Sequence, residues 1–428
     1  MKLTKCCLCK RCSEMVRRAP NRLEIRATLE SNIAASALLP VSMGKSNTEQ
    51  TFTSPRFAEL MQDGLSCEGA MLGPDSDLRK RVTVDSHKNR RKFLFTLKFT
   101  PRPSYHFGDF GGQFAPELQM DALQNLSAAF AKAELDDAFW KSFFGYDIIR
   151  SSPLQLAKNL TRLGGGASIW LKREDLSDCG SENIRSIAGQ ILFAHRIGKT
   201  EIVTECGSAR HGIACAKMCK LLGIPCTIFM GESDASRQAH GIRAIQFFGA
   251  SVIPTRTDSG RGSLRCAINE ALRYSICKID SAYHVMCGPI GPHPVPTITR
   301  QFQSLLGKEV MFQITKMTGG RLPDTIICPV GTGSGAVGIF YPFIRHDTVR
   351  LVGIEAEGAA PLTHGSKGVL FGCKTYVLQD TEGQILQSCS ASSDMNLPIA
   401  GPELANWKET ERVTYITGTD SDALDGQR

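Results

Sequence analysis

The amino-acid sequence predicts an α/β protein of two packed domains with mostly parallel sheets. Three observations carry this expectation. The chain has 428 residues, more than one ordinary core accommodates. It is 42% hydrophobic and 21% charged, as globular proteins are, and no apolar run reaches the length of a bilayer span. Short apolar runs alternate with helix-period segments at the spacing of βαβ units.

Residues 1–105 lack sustained periodicity and mix Ser, Thr and Pro with the basic runs Arg79-Lys80-Arg81 and Arg90-Arg91-Lys92, which reads as an extension or tether. From Phe107 the texture changes. Residues 116–144 space their apolar side chains like an amphipathic helix. Ser168–Lys172 reads as a strand and Ala188–Ile197 as a helix. Glu201–Thr204 is a strand running into a Gly-containing turn, with Gly212–Leu222 the helix after it. Pro225–Met230, at the end of an apolar stretch broken by Gly and Pro, is a strand, and a helix follows towards Phe248. Ser251–Pro254 is a strand again. Thr325–Val330 is continuously apolar, as a strand buried on both faces should be, and Val349–Ile354 is a further strand. There is no internal repeat of short period.

The formal charge of +8 lies in the extension. Residues 1–105 hold 19 Lys+Arg against 10 Asp+Glu, which leaves 31 against 32 in the remainder, so the body is near neutral and presents no nucleic-acid surface. The 16 cysteines are scattered through a long chain without a recognisable signal peptide, so they read as reduced thiols in a cytoplasmic compartment. Arg17, Arg18, Arg22 and Arg26 suit an organelle-import peptide, but Glu14, Glu24 and Glu30 argue against one. Cys6, Cys7, Cys9 and Cys12 form one cluster, open to zinc, to acylation or to no ligand at all, because structural zinc sites pair two separated knuckles.

Two turns could carry chemistry. Gly331-Thr332-Gly333-Ser334-Gly335 follows a buried strand and precedes a helix, so its backbone N–H groups can cradle an anion; such turns also simply turn. It is not the spaced dinucleotide fingerprint. Glu205-Cys206-Gly207-Ser208-Ala209-Arg210-His211-Gly212 is a second strand-to-helix turn. It could bind a carboxylate, with Glu205 placed for acid–base work, or be a capping loop with a solvated arginine. The Gly291–Pro296 loop holds His293 and reads first as a stiff turn. No Ser-His-Asp order, two-histidine zinc motif or Walker sequence competes.

Taken in order, FGDFGGQFAPE (107–117), IWLKREDL (169–176), the turn at 205–212, MGESDASRQA (230–239), GPHPVPTITRQFQS (291–304), the segment 321–343 and YVLQDTEGQI (376–385) resemble the beta chain of tryptophan synthase, with wording nearest the fungal forms. The resemblance covers 107 to about 424. It implies a fold-type II pyridoxal-phosphate enzyme of two three-layer α/β domains: a smaller mobile domain at about 186–296, and a larger one from the flanking parts of 106–428. The implied reaction replaces the hydroxyl of L-serine by indole to give L-tryptophan, with the cofactor aldehyde held on a lysine amine. Implied partners are a second copy and an alpha-type subunit delivering indole, with neither nucleic acid nor membrane.

Carried over residue by residue, the resemblance gives Glu205 as the acid–base group and Asp394 as the carboxylate that closes over the serine hydroxyl. Gly207, Ser208 and His211 match the loop for the substrate carboxylate, where Cys206 and Arg210 replace Thr and Gln. Gly331, Gly333 and Ser334 match the phosphate loop, where Thr332 and Gly335 replace Gly and Asn. The lysine position falls on Asn183, whose amide nitrogen is not a usable nucleophile, and Glu182 replaces a histidine associated with the phosphate. Arg185 cannot substitute, because guanidinium stays protonated. The family continues past the TDSDAL segment to a second glutamate and to a serine that contacts the pyridine nitrogen. On that comparison this chain stops short, which predicts exposed apolar faces on the larger domain, costing on the order of several kcal/mol. Three readings follow: a working synthase, a non-catalytic descendant that still binds cofactor phosphate or a synthase subunit, and an interaction protein acting through its basic extension. Covalent cofactor attachment is not expected.

Overall fold

The computed structural model describes residues 23–27, 105–257 and 260–427. Three sheets organise it. Six strands form the largest: β1 (Leu23–Ala27), β4 (Leu154–Leu156), β5 (Ser168–Lys172), β11 (Thr325–Val330), β12 (Arg350–Ala356) and β15 (Val413–Gly418), in the order β15-β12-β11-β1-β5-β4. All its pairings are parallel except β4 with β5 at the edge. A second sheet holds β6 (Glu201–Cys206), β7 (Cys226–Gly231), β8 (Ser251–Thr257), β9 (Gly260–Arg261) and β10 (Ala282–Val285), ordered β10-β6-β7-β8-β9. The third is antiparallel: β2 (His106–Phe107), β3 (Phe110–Gly111), β13 (Ser366–Leu370) and β14 (Cys373–Val377), ordered β13-β14-β3-β2.

The two parallel sheets have the burial their sequences dictate. All but one residue of β11 is buried, and β12 is buried from Leu351 onwards. Leu23–Ala27 lies inside the expected extension yet forms a strand between β11 and β5. The cluster of Cys6, Cys7, Cys9 and Cys12, the basic runs and the candidate import segment other than Leu23–Ala27 lie outside the described residues.

Helix α1 (Glu117–Glu134) ends earlier than the amphipathic pattern suggests. Asp136 breaks the run, because its side chain accepts from the Ala138 N–H and caps a second helix, α2 (Asp137–Phe143). Helix α3 (Ile184–Arg196) is buried on every side from Ile184 to Ala194, as an apolar central helix should be. It packs on α4 (Arg210–Leu222) and α5 (Val295–Gln303). A Cβ on Gly189 would stand 2.3 Å from the Phe302 ring, so only glycine allows α3 and α5 to approach this closely. Around the Phe302 ring Phe130 packs edge-to-face, Trp140 tilted and Phe143 stacked, and Phe193 meets Phe130 edge-to-face.

The β13–β14 hairpin has no counterpart in the sequence reading. Phe371 and Gly372 both take positive φ (52° and 90°), the geometry of a two-residue hairpin turn, although Phe-Gly is not a usual signature for one. Among the described residues no helix is long and apolar enough to cross a membrane, and no group of His, Cys, Asp or Glu side chains is disposed to hold a metal ion.

Candidate functional site

The site is a cleft that encloses about 850 Å³ when its open mouth is included. Four segments supply most of its lining. The turn after β5 and the start of α3 contribute Glu174, Ser181, Glu182 and Asn183. The turn from β6 into α4 contributes Cys206, Gly207, Arg210 and His211. The loop from β11 into α6 (Ser334–Phe340) contributes Gly331 to Gly335, and the segment after β14 contributes Asp394. Strand carboxyl ends thus meet helix amino ends, where open α/β sheets bind ligands.

The Gly331–Gly335 loop is shaped by contact. Gly333 has φ 97°, and a Cβ there would meet Leu404 at 2.4 Å. A Cβ on Gly331 would come 2.5 Å from the Asp394 carbonyl oxygen. Thr332 packs its side chain against Gly288 and donates to the Cys287 carbonyl at 3.4 Å. The buried Ser334 hydroxyl has no hydrogen-bond partner among the described residues, and a phosphate oxygen suits it as an acceptor.

Asn183 is buried. Its Nδ2 donates to the Cys287 carbonyl at 3.3 Å, while its Oδ1 has no partner among the described residues. Among the described residues that line the cleft there is no lysine. Lys172, nearby in sequence, is fully buried and committed elsewhere: it donates to Glu309 at 2.9 Å, the Ser152 carbonyl at 2.7 Å and Gln313 at 3.1 Å. Arg185 joins the same network, reaching Glu174 at 2.7 Å and Glu309 at 2.8 Å. Burial opposes the charge on Glu309, but Arg185 and Lys172 overcome it and hold its carboxyl at about 2. This four-charge network was not read from the sequence; the charged run at 172–175 was its only signal.

On the opposite wall, Asp394 accepts from the Ser208 backbone N–H at 2.9 Å, and burial raises its carboxyl above the ordinary value. Ser393 donates to Asp234 at 2.7 Å, so the 390–396 segment also grips the β7 end of the second sheet. Gly207 is needed here, because a Cβ would sit 3.0 Å from the Asp394 carboxylate.

Glu205 is fully buried and does not line the cleft. Its carboxylate accepts from the Cys287 N–H at 2.8 Å and is paired with His284 Nε2 at 2.5 Å. Burial pushes its carboxyl up, but His284 and the other donors outweigh that and leave it below the ordinary value. His284 was missed in the sequence, since it lies on a strand 79 residues away. His211 is buried, and burial lowers its imidazole to about 4, so it is neutral near pH 7. Thr204 gives its one hydroxyl proton to the Val285 carbonyl at 2.6 Å, so it accepts from His211 Nε2 at 2.9 Å. This leaves His211 Nδ1 as a bare acceptor without a partner among the described residues.

The loop, the orphaned Ser334 hydroxyl and the glycine contacts therefore fit the phosphate end of a pyridoxal-phosphate cofactor; the aldehyde end lacks an amine.

The family profile described as pyridoxal-phosphate dependent enzyme matches residues 146–426. Tryptophan synthase of Saccharomyces cerevisiae is 43% identical over 358 residues, 81% of this chain and 50% of its own length. Tryptophan synthase beta chain of Cereibacter sphaeroides is 40% identical over 341 residues, covering 76% of this chain and 82% of the relative. That of Ruegeria sp. is 40% identical over 342 residues, covering 76% and 80%. The chain thus spans half the length of the yeast relative and about four-fifths of the bacterial ones. Among solved structures, a threonine deaminase from T.th. superposes with a TM-score of 0.50 at 20% identity, over 71% of this chain and 84% of that one, a likeness of fold. The profile match over 146–426 and the relatives at 40–43% identity establish that this chain belongs to the pyridoxal-phosphate dependent enzymes, in the family of tryptophan synthase beta chains.

Proposed function

We propose that this chain is a non-catalytic member of the tryptophan synthase beta family that binds pyridoxal phosphate without a covalent bond. One observation carries the reading: Asn183 lies in the cleft at the lysine position, and among the described lining residues no lysine replaces it. When bound, the cofactor supplies an electron sink for chemistry at an amino acid. In this chain Gly333, Ser334 and Gly335 would hold its phosphate, and Asn183 would face it as a neutral hydrogen-bonding group. Glu205, Asp394 and the Cys206–His211 turn are the residues left for an amino-acid ligand such as L-serine. Glu205 is set back behind the cleft, and its pairing with His284 favours the ionised form, which suits it poorly as a proton donor. Indole as co-substrate belongs to the working-synthase alternative; a second copy and an alpha-type subunit rest on the family relationship, and a cytoplasmic location on the scattered thiols.

The test is an absorbance spectrum of the full chain with pyridoxal phosphate, before and after borohydride. The expected outcome is a free-aldehyde spectrum and no lysine labelled. A band that borohydride fixes to a mapped lysine, followed by turnover of indole and serine, would support a working synthase instead.

A further inference from the structure

Glu182 is an acid on the wall of a loop that fits a phosphate. Its Cγ lies 3.6 Å from the Cβ position of Gly335, the residue after Ser334. The side chain cannot withdraw easily, because its backbone carbonyl is held by Gln303 Nε2 at 2.6 Å and α3 begins two residues later. The half-buried carboxylate faces charged and titratable groups on every element around it. Asp394 comes from the 390–396 segment, Glu174 from the turn after β5 and Cys328 from β11; among the described residues that line the cleft, Arg210, at the start of α4, is the one lysine or arginine. A phosphate monoester placed on Gly333–Gly335 would therefore meet a cleft that already carries three carboxyl groups, Glu174 being ion-paired with Arg185.

We propose that Glu182 makes anion binding at this loop proton-linked: Glu182 takes a proton from solvent as the phosphate monoester enters, and the resulting acid O–H donates to a phosphate oxygen. The inference rests on the cofactor reading above and adds to it the residue that sets when the cofactor can bind. Two charges at contact distance in a partly desolvated site repel strongly, whereas a protonated carboxyl turns the same contact into a charge-assisted hydrogen bond. Burial, and then Asp394, already raise the Glu182 carboxyl to about 7. Filling the cleft would expel water and add negative charge, and both changes favour the proton further.

The experiment titrates the full chain and Glu182→Gln with pyridoxal 5′-phosphate by calorimetry from pH 7 to 9, in buffers of different ionisation enthalpy. The phosphate itself ionises near 6, below this window. The ratio of the variant's affinity to that of the wild-type chain should rise, approaching about tenfold per pH unit at the top of the range, with wild-type binding taking up close to one more proton than the variant. A ratio that stays level, with no difference in proton uptake, overturns the inference while leaving the cofactor reading intact. Absence of binding by both proteins across pH 7 to 9 overturns both. If the glutamine variant fails to fold, wild-type proton uptake decides alone: no proton taken up above pH 7 refutes the proposal.

Discussion

The Asp394 carboxylate accepts the backbone N–H of Ser208 at 2.9 Å across 186 residues, joining the segment after β14 to the turn that opens α4. Both sides are shaped for it, since Gly207 and Gly331 each leave room for the 393–395 backbone or the carboxylate. The bond is charge-assisted and ties two walls of the cleft together.

Asp394→Ala should free this wall. Loss of a hydrogen bond to a charged group costs about 1.5–3 kcal/mol, so amide exchange at Ser208 should accelerate by about tenfold or more while β11 amides stay protected. Unchanged exchange at Ser208 would show that the glycine contacts alone hold the segment.

Asn183→Lys should restore an amine to the cleft. The expected result is a borohydride-stable adduct with pyridoxal phosphate mapped by mass spectrometry to position 183, absent from the wild-type chain. Failure to label that position would mean that something other than the missing amine excludes the aldehyde.

Glu309→Gln should destabilise strongly, because it leaves Lys172 and Arg185 short of a carboxylate in the interior. Breaking such a buried pair typically costs about 3–5 kcal/mol, read as a lower urea midpoint. Acid sensitivity follows with a defined sign. Folding holds the Glu309 carboxyl at about 2 against an ordinary 4.5. Its contribution is therefore fully present above 4.5 and is lost as pH falls from 4.5 towards 2. Over that window wild-type stability should fall more steeply than that of the variant; parallel curves would remove Glu309 as the cause.

Gly189→Ala should strain the crossing of α3 and α5. The added methyl would stand 2.3 Å from Phe302, and overpacking of this kind costs about 1–3 kcal/mol. A lower Tm is expected, with Gly189→Ala/Phe302→Leu recovering part of the loss. A Tm equal to wild type would show that the Phe302 ring moves aside freely.

Much of the fold was legible because it rests on local physics. A short continuous apolar run bounded by Pro and Gly suits a strand buried on both faces, and Thr325–Val330 has the same bounds in the sequence reading and in the structure. The break at Asp136 was harder to see, because a cap overrides an apolar period that continues through it. The Phe371-Gly372 turn was invisible, since Phe rarely takes positive φ and does so here only with β13 and β14 already paired.

For the site, the sequence by itself determined which chemical groups exist: an amide where an amine is expected, an acid beside a glycine loop, and a turn of small residues after β6. Residue identity is a property of the chain alone. Only the tertiary structure decided what those groups face. It set Glu205 behind the cleft against His284, bound Lys172 and Arg185 into a network with Glu174 and Glu309, and placed Glu182 against Gly335 within the electrostatic reach of Asp394. Distance explains this: charge, desolvation and hydrogen bonding act over a few ångströms of space, whereas His284 lies 79 residues from Glu205 and Glu309 lies 137 from Lys172.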